Sequence, residues 1–154
     1  MKRDPKKLSR ILRVRQLQEE SARGVWIQAQ LAARQADACV VESQQNLELS
    51  QEFIRGQQAQ GSISGVLNAD AAMVHQLYAL AETKAQAAAR HRDVEAAKAP
   101  WVETRRAARG MEKLVERAQE DQRIERLQKE DQSLESSLEA LLVRQKNQQP
   151  PLSA

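Results

Sequence analysis

Apolar residues recur along the first third of the chain at spacings of three and four. Stepping by seven from Leu8 gives Arg15, Ala22, Ala29, Ala36, Ser43 and Ser50. A second column runs Ile11, Gln18, Val25, Ala32, Cys39, Asn46, Phe53, and a third runs Leu12, Glu19, Trp26, Ala33, Val40, Leu47, Ile54. Together they read as one stripe over about seven heptads, the mark of a left-handed coiled coil. Asp4-Pro5 is a good helix start, because Pro costs nothing at the first turn. The stripe ends where Gly56, Gly61 and Gly65 cluster, and Asn68 or Asp70 can cap a following helix.

A new heptad column then begins: Met73, Leu80, Ala87, Val94, Trp101, Ala108, Val115. Beside it stand Leu77 and, later, Ala97, Thr104, Met111 and Ala118. Pro100 lies inside this run, but the periodicity carries through it, which predicts a kink rather than a break. Near Asp121 the phase slips, and a further seam starts at Ile124, Leu127, Asp131, Leu134, Leu138 and Leu141. The pattern predicts an all-α fold, an antiparallel two-helix coiled-coil hairpin with a longer second helix. It forms one domain: helix one over about 6–56, a turn over about 57–67, helix two over about 68–146, and a disordered tail at 147–154. Folded at the turn, helix two overhangs by about 28 residues, roughly 42 Å.

Composition sharpens this reading. Hydrophobic residues make up 41% but aromatics only 3%, which suits a narrow helix–helix seam better than a wide core. Lys and Arg number 24 against 21 Asp and Glu, so the chain as a whole is not a basic nucleic-acid binder. The single cysteine excludes an internal disulfide, and its place between Ala36 and Val40 reads as a small buried hydrophobe. No apolar run is long enough to span a bilayer, and the basic N-terminus lacks a signal-peptide core, so a cytoplasmic protein is the simplest expectation. Trp26 and Trp101 are large residues in alanine-rich seams, and the antiparallel register brings them close enough to form the main hydrophobic knot.

No pattern of catalysis, metal or cofactor binding stands out. There is no phosphate-binding loop, dinucleotide fingerprint or nucleophile elbow. His75 and His91 are too far apart in sequence to share one metal, and neither has a nearby cysteine. Carboxylates such as Glu112 and Glu116 sit beside Lys113 and Arg117 in ordinary surface pairing. An enzyme is therefore not expected.

Three surfaces are candidates for binding. Lys2, Arg3, Lys6, Lys7, Arg10, Arg13 and Arg15 crowd the N-terminus against one acid, Asp4; they form either a solvated helix start or a basic plug for an acidic partner, a phosphate backbone or anionic lipid. The overhanging stripe 124–141 has no internal helix to cover it and serves either a partner or a weak homo-association. Met73, Leu77 and Leu80, broadened by Val74, Tyr78 and Ala81 and joined by Ile63, Val66 and Leu67, make the hairpin tip apolar. They read equally as core or as a docking face.

The chain resembles the FliJ family, stalk proteins of flagellar type III export related to the YscO-like injectisome stalks. The resemblance rests on the opening Leu8-x-x-Ile11-Leu12-x-Val14-Arg15-x-x-x-Glu19-x-x-Ala22. It rests also on the stretch from Val94 through Pro100, Trp101, Arg105 and Arg106 to Met111-Glu112-Lys113-Leu114-Val115-Glu116-Arg117, and on the charged finish Glu125-Arg126-x-x-Lys129-Glu130-Asp131. It implies a non-enzymatic stalk whose terminal ends enter the ring of an export ATPase, while other faces contact a membrane protein of the export gate and export chaperones. Residue by residue, it implies that Leu8, Ile11, Leu12, Arg13, Arg15, Leu114, Arg117 and Ile124 face the ATPase. Met73, Leu77 and Leu80 would face the gate. It implies a place in the cytoplasm, peripheral to the inner membrane, with no cofactor, nucleic acid or small-molecule substrate. Two other readings stay open at this point: a structural coiled coil that only self-associates, and a nucleic-acid or membrane binder working through residues 2–15.

Overall fold

The computed structural model describes residues 3–151. It holds two helices, α1 (Pro5–Gln60) and α2 (Ile63–Gln148), and no strand among the described residues. They form an antiparallel two-helix coiled-coil hairpin, with α2 longer by thirty residues (86 minus 56). α1 starts as expected: Pro5 is its first residue, the Lys6 N–H donates to Asp4 Oδ1 at 3.0 Å, and the Leu8 N–H reaches the Asp4 carbonyl at 3.1 Å. α2 runs through Pro100 without interruption. Pro100 and Ala96 are both exposed, so the carbonyl that loses its helical donor faces solvent rather than the seam.

The turn is far shorter than the glycine cluster suggested, two residues in place of the expected stretch 57–67. Only Gly61 takes a left-handed conformation, at φ 74°. Its N–H donates to the Gln58 carbonyl at 3.1 Å, and the Ser62 N–H to the Gln57 carbonyl at 3.4 Å, closing α1 with a Schellman motif. Ser62 then caps α2: its Oγ accepts from the Gly65 N–H at 3.2 Å, and its carbonyl from the Val66 N–H at 3.1 Å. Neither Asn68 nor Asp70 is needed as a cap, since both lie inside α2. At Gly65 a Cβ would meet the far end of the Gln57 side chain, which can swing aside, and would lie 2.9 Å from Ser62 Oγ. Gly61→Ala should cost about 1 kcal/mol, because the left-handed conformation is strained for any residue with a Cβ. Thermal unfolding followed by circular dichroism should show the midpoint drop by about 2–4 °C; an unchanged midpoint would mean that Gly61 does not hold this geometry.

Packing divides the hairpin into two units. One joins α1 up to Arg15 to α2 from Ala108 onward; the other runs from Gln16 to Ala107. Each is a thin seam of small apolar residues. In the second unit Ala33, Ile54, Ala69 and Ala87 are buried; in the first Ala108, Val115 and Ala118 are. No polar or charged residue is buried among the described residues.

Two of the three columns read on α1 lie in the seam. The Leu12 column and the Leu8 column supply the buried and half-buried positions, except Arg15. The column of Ile11, Gln18, Val25, Cys39, Asn46 and Phe53 is exposed apart from half-buried Ala32. Cys39 is therefore not a buried hydrophobe. The reason is geometric: a two-helix seam takes two positions per heptad, and a third column lies too far round the helix to reach the partner.

On α2 the column Met73, Leu80, Ala87, Val94, Trp101, Ala108, Val115 forms the seam as expected. Its companion is Ala69, Gln76, Thr83, Ala97, Thr104, Met111 and Ala118, which excludes Leu77. The polar members are accommodated locally. Thr83 Oγ1 donates to the Leu80 carbonyl and Thr104 Oγ1 to the Trp101 carbonyl, each at 3.0 Å, so neither hydroxyl needs a partner across the seam.

The second unit holds both tryptophans. Trp26 and Trp101 stack with ring centroids 4.7 Å apart and planes 4° from parallel, as the register predicted. The Arg105 guanidinium covers Trp101 at 5.2 Å from the ring centroid. Both indole Nε1 atoms are buried without a hydrogen-bond acceptor. A cross-helix pair adds direction nearby: His91 Nε2 lies 2.9 and 3.0 Å from the two carboxylate oxygens of exposed Asp37. No group of side chains suited to a metal occurs among the described residues.

Candidate partner-binding site

The site is built from the first turns of α1 and the part of α2 beyond Ala108, where the heptad pattern turns apolar residues inward and leaves charges at the edges. Pro5 is buried and Leu8 and Leu12 are half-buried, in the unit that also holds the buried Val115 and Ala118. Leu114 is half-buried in the same unit. Arg13, Arg15 and Arg117 are exposed, with Ile11 and Ile124. The eight residues expected to face an ATPase ring, three of them arginines, thus belong to a single unit.

Charge at this end is mixed rather than uniformly basic. A groove of about 520 Å³ is lined by Arg3 and Asp4 from the N-terminus and by Leu114, Arg117, Asp121 and Glu125, among others, from α2. Arg3 therefore shares this groove with acids that periodicity did not flag, because Asp121 and Glu125 lie where the phase of the pattern slips. Lys2, part of the expected basic run, lies outside the described residues. One turn on, Arg123 donates two hydrogen bonds to the Glu120 carboxylate at 3.0 and 2.8 Å. The guanidinium holds the Glu120 carboxyl below its ordinary value, and Glu120 raises Arg123 in return. Both are fully exposed, so the pair fixes a fork of charge on the surface and is worth little to stability.

Beyond this groove α2 continues without cover. Leu127, Leu134, Leu138 and Leu141 are all exposed, Leu134 by 62%. The expected tail begins later than 147, since α2 extends to Gln148; residues 152–154 lie outside the described residues.

The residues expected to face the export gate lie in the other unit. Met73 and Leu80 are half-buried in the seam, whereas Leu77 is 47% exposed. They do not share one outward face. The exposed apolar residues around Leu77 are instead Ile63, Leu67, Val74 and Tyr78, which follow the same outward side of α2.

Two long helices in an antiparallel hairpin, an uncovered stretch on the longer one and exposed apolar faces define a coiled-coil protein that works through its ends and faces. The family model described as Flagellar FliJ protein matches residues 5–147, and the chain belongs to that family. It is accordingly a component of the flagellar type III export apparatus, in a family not known for enzymes. No curated protein and no solved structure gives a significant match to the chain. No helix among the described residues is long and apolar enough to cross a membrane.

Proposed function

We propose that the chain is a stalk and adaptor of flagellar export that engages the export ATPase ring through its terminal unit. The observation that supports this is the gathering of Leu8, Ile11, Leu12, Arg13 and Arg15 with Leu114, Arg117 and Ile124 in one unit of the fold. Exposed arginines steer encounter with a partner, and the apolar edge formed by Ile11 and Ile124 supplies area that leaves water on docking. The uncovered leucines of α2 extend that surface.

The other unit contacts the export gate or chaperones, with Leu77 as the outward residue of the expected gate set; Met73 and Leu80 support it from the seam. The site of action is the cytoplasmic face of the inner membrane, where the chain is peripheral. It needs no cofactor, nucleic acid or small-molecule substrate for this role.

The test is to add the full chain to the purified export ATPase and follow the mass of the ATPase by light scattering. The expected result is a shift toward larger ATPase oligomers in proportion to added chain. An ATPase whose mass and turnover do not respond would sink the stalk reading while leaving family and fold untouched.

A further inference from the structure

We propose that the outward face of α1 between Lys6 and Val14 binds an anionic lipid surface. Charge is divided unevenly along the chain. Residues 1–15 hold seven bases and one acid, a net +6 (7 minus 1). The rest of their unit, from residue 108 onward, holds eight bases and nine acids, a net −1 (8 minus 9). The other unit holds nine bases and eleven acids, a net −2 (9 minus 11). The chain's net charge of +3 (6 minus 1 minus 2) therefore comes from the first fifteen residues alone.

The helix turns this charge outward. Leu8 and Leu12 are half-buried in the seam. At about 100° per residue, Lys7, Arg10 and Val14 lie on the opposite side of α1, flanked by Lys6 and Arg13. All five are exposed, Val14 by 53%, and Ile11 at the edge of the face is exposed too. No acid lies between Asp4 and Glu19. Among the described residues no carboxylate pairs with Lys6, Lys7, Arg10 or Arg13. Fold stability does not account for these bases. A helix start gains from acids and loses from bases, yet the first turn of α1 has no acid and carries Lys6 and Lys7.

The surroundings of the bases select lipid among anionic partners. A nucleic acid gains from aromatic stacking, and the first aromatic residue in the chain is Trp26, already stacked on Trp101. An acidic protein would fit a shaped surface. The groove of this unit has mixed charge, and none of Lys6, Lys7, Arg10 and Arg13 lines it. Their face is the convex side of a single helix, with bases spread over seven residues (13 minus 6), about 10 Å. Charge spread in this way suits mobile headgroups. Ile11 and Val14 enter the acyl boundary while the long basic side chains reach the phosphates.

Such a contact would hold the chain at the membrane, and it stands apart from the stalk reading. Lys6, Lys7, Arg10 and Val14 are not among the residues assigned to the ATPase, and the test contains no ATPase.

The experiment is flotation of the full chain with two kinds of vesicle, phosphatidylcholine alone and phosphatidylcholine with one third phosphatidylglycerol. Salt is set at about 0.1 M and then about 1 M, which shortens electrostatic reach from about 10 Å to about 3 Å. The expected result is binding to the anionic vesicles at low salt only. Each base near such a surface adds roughly fivefold to partitioning, so Lys6→Glu, Lys7→Glu and Arg10→Glu together should lower it at least about a hundredfold. The melting midpoint of that variant should hold or rise, because acids suit a helix start. Arg126→Glu, Lys129→Glu and Arg144→Glu on α2 change net charge by the same amount and should leave binding within about fivefold. Absence of binding at low salt overturns the proposal and leaves the face to an acidic protein. Equal losses in the two triple variants also overturn it, since net charge rather than this face would then be at work.

Discussion

Trp26→Ala should destabilise the chain by about 3 kcal/mol and lower its thermal midpoint by about 6–12 °C. The indoles lie 4.7 Å apart and nearly parallel in a seam whose other members are mostly alanine, valine and leucine. Removing one ring leaves the other without its stacking surface and opens a gap that the neighbouring alanines cannot fill. Trp101 would also gain solvent on one face, weakening the Arg105 contact 5.2 Å from its ring centroid. Part of the loss is offset, because Trp26 buries an indole N–H with no acceptor and alanine does not. That offset yields a second, opposite-leaning expectation: Trp26→Phe keeps an aromatic surface while deleting the orphan donor, and should cost much less than Trp26→Ala. Thermal melts by circular dichroism compare the three proteins directly. A Trp26→Ala loss below about 1 kcal/mol would show that the tryptophan knot is not the strongest point of the seam.

Arg13→Glu combined with Arg117→Glu should reduce promotion of export-ATPase assembly at least tenfold, with little change in the melting curve. Both side chains are exposed and lie in the terminal unit, so the fold loses no buried contact. Reversing them replaces attraction by repulsion wherever the ATPase presents acids, and each factor of ten corresponds to about 1.4 kcal/mol of binding. Arg117 lines the groove with Asp4, Asp121 and Glu125, so a glutamate there also adds a fourth acid to that wall. The comparison is the light-scattering titration of the ATPase with wild-type and variant chains at two salt concentrations. A variant as active as the wild type would remove arginine steering from the mechanism.

The hairpin itself was legible because heptad spacing states which residues face one another, and a single breaker cluster states where the chain reverses. The tryptophan stack followed from the same register, and Asp4-Pro5 marked the start of α1. What was not legible depended on finer geometry. A cluster of three glycines reads as a long loop, but only Gly61 takes a left-handed φ, while Gly56 and Gly65 continue the helices. Cys39 and Phe53 follow the heptad as faithfully as Val40 and Ile54; periodicity does not say which two of three columns the partner helix reaches. Leu77 is apolar and Gln76 polar, so composition placed the wrong one in the seam. The grouping of the terminal residues was readable from connectivity alone, but the acids Asp121 and Glu125 that share a groove with Arg3 emerge only once the two segments are packed.

The most direct test of the terminal unit as the ATPase-binding end is hydrogen exchange of the full chain with and without the export ATPase. The expected result is new protection confined to residues before about 15 and after about 108, strongest around Leu114, Arg117 and Ile124. Protection appearing instead at the other unit, around Leu49 to Tyr78, with the terminal segments unchanged, would contradict the assignment.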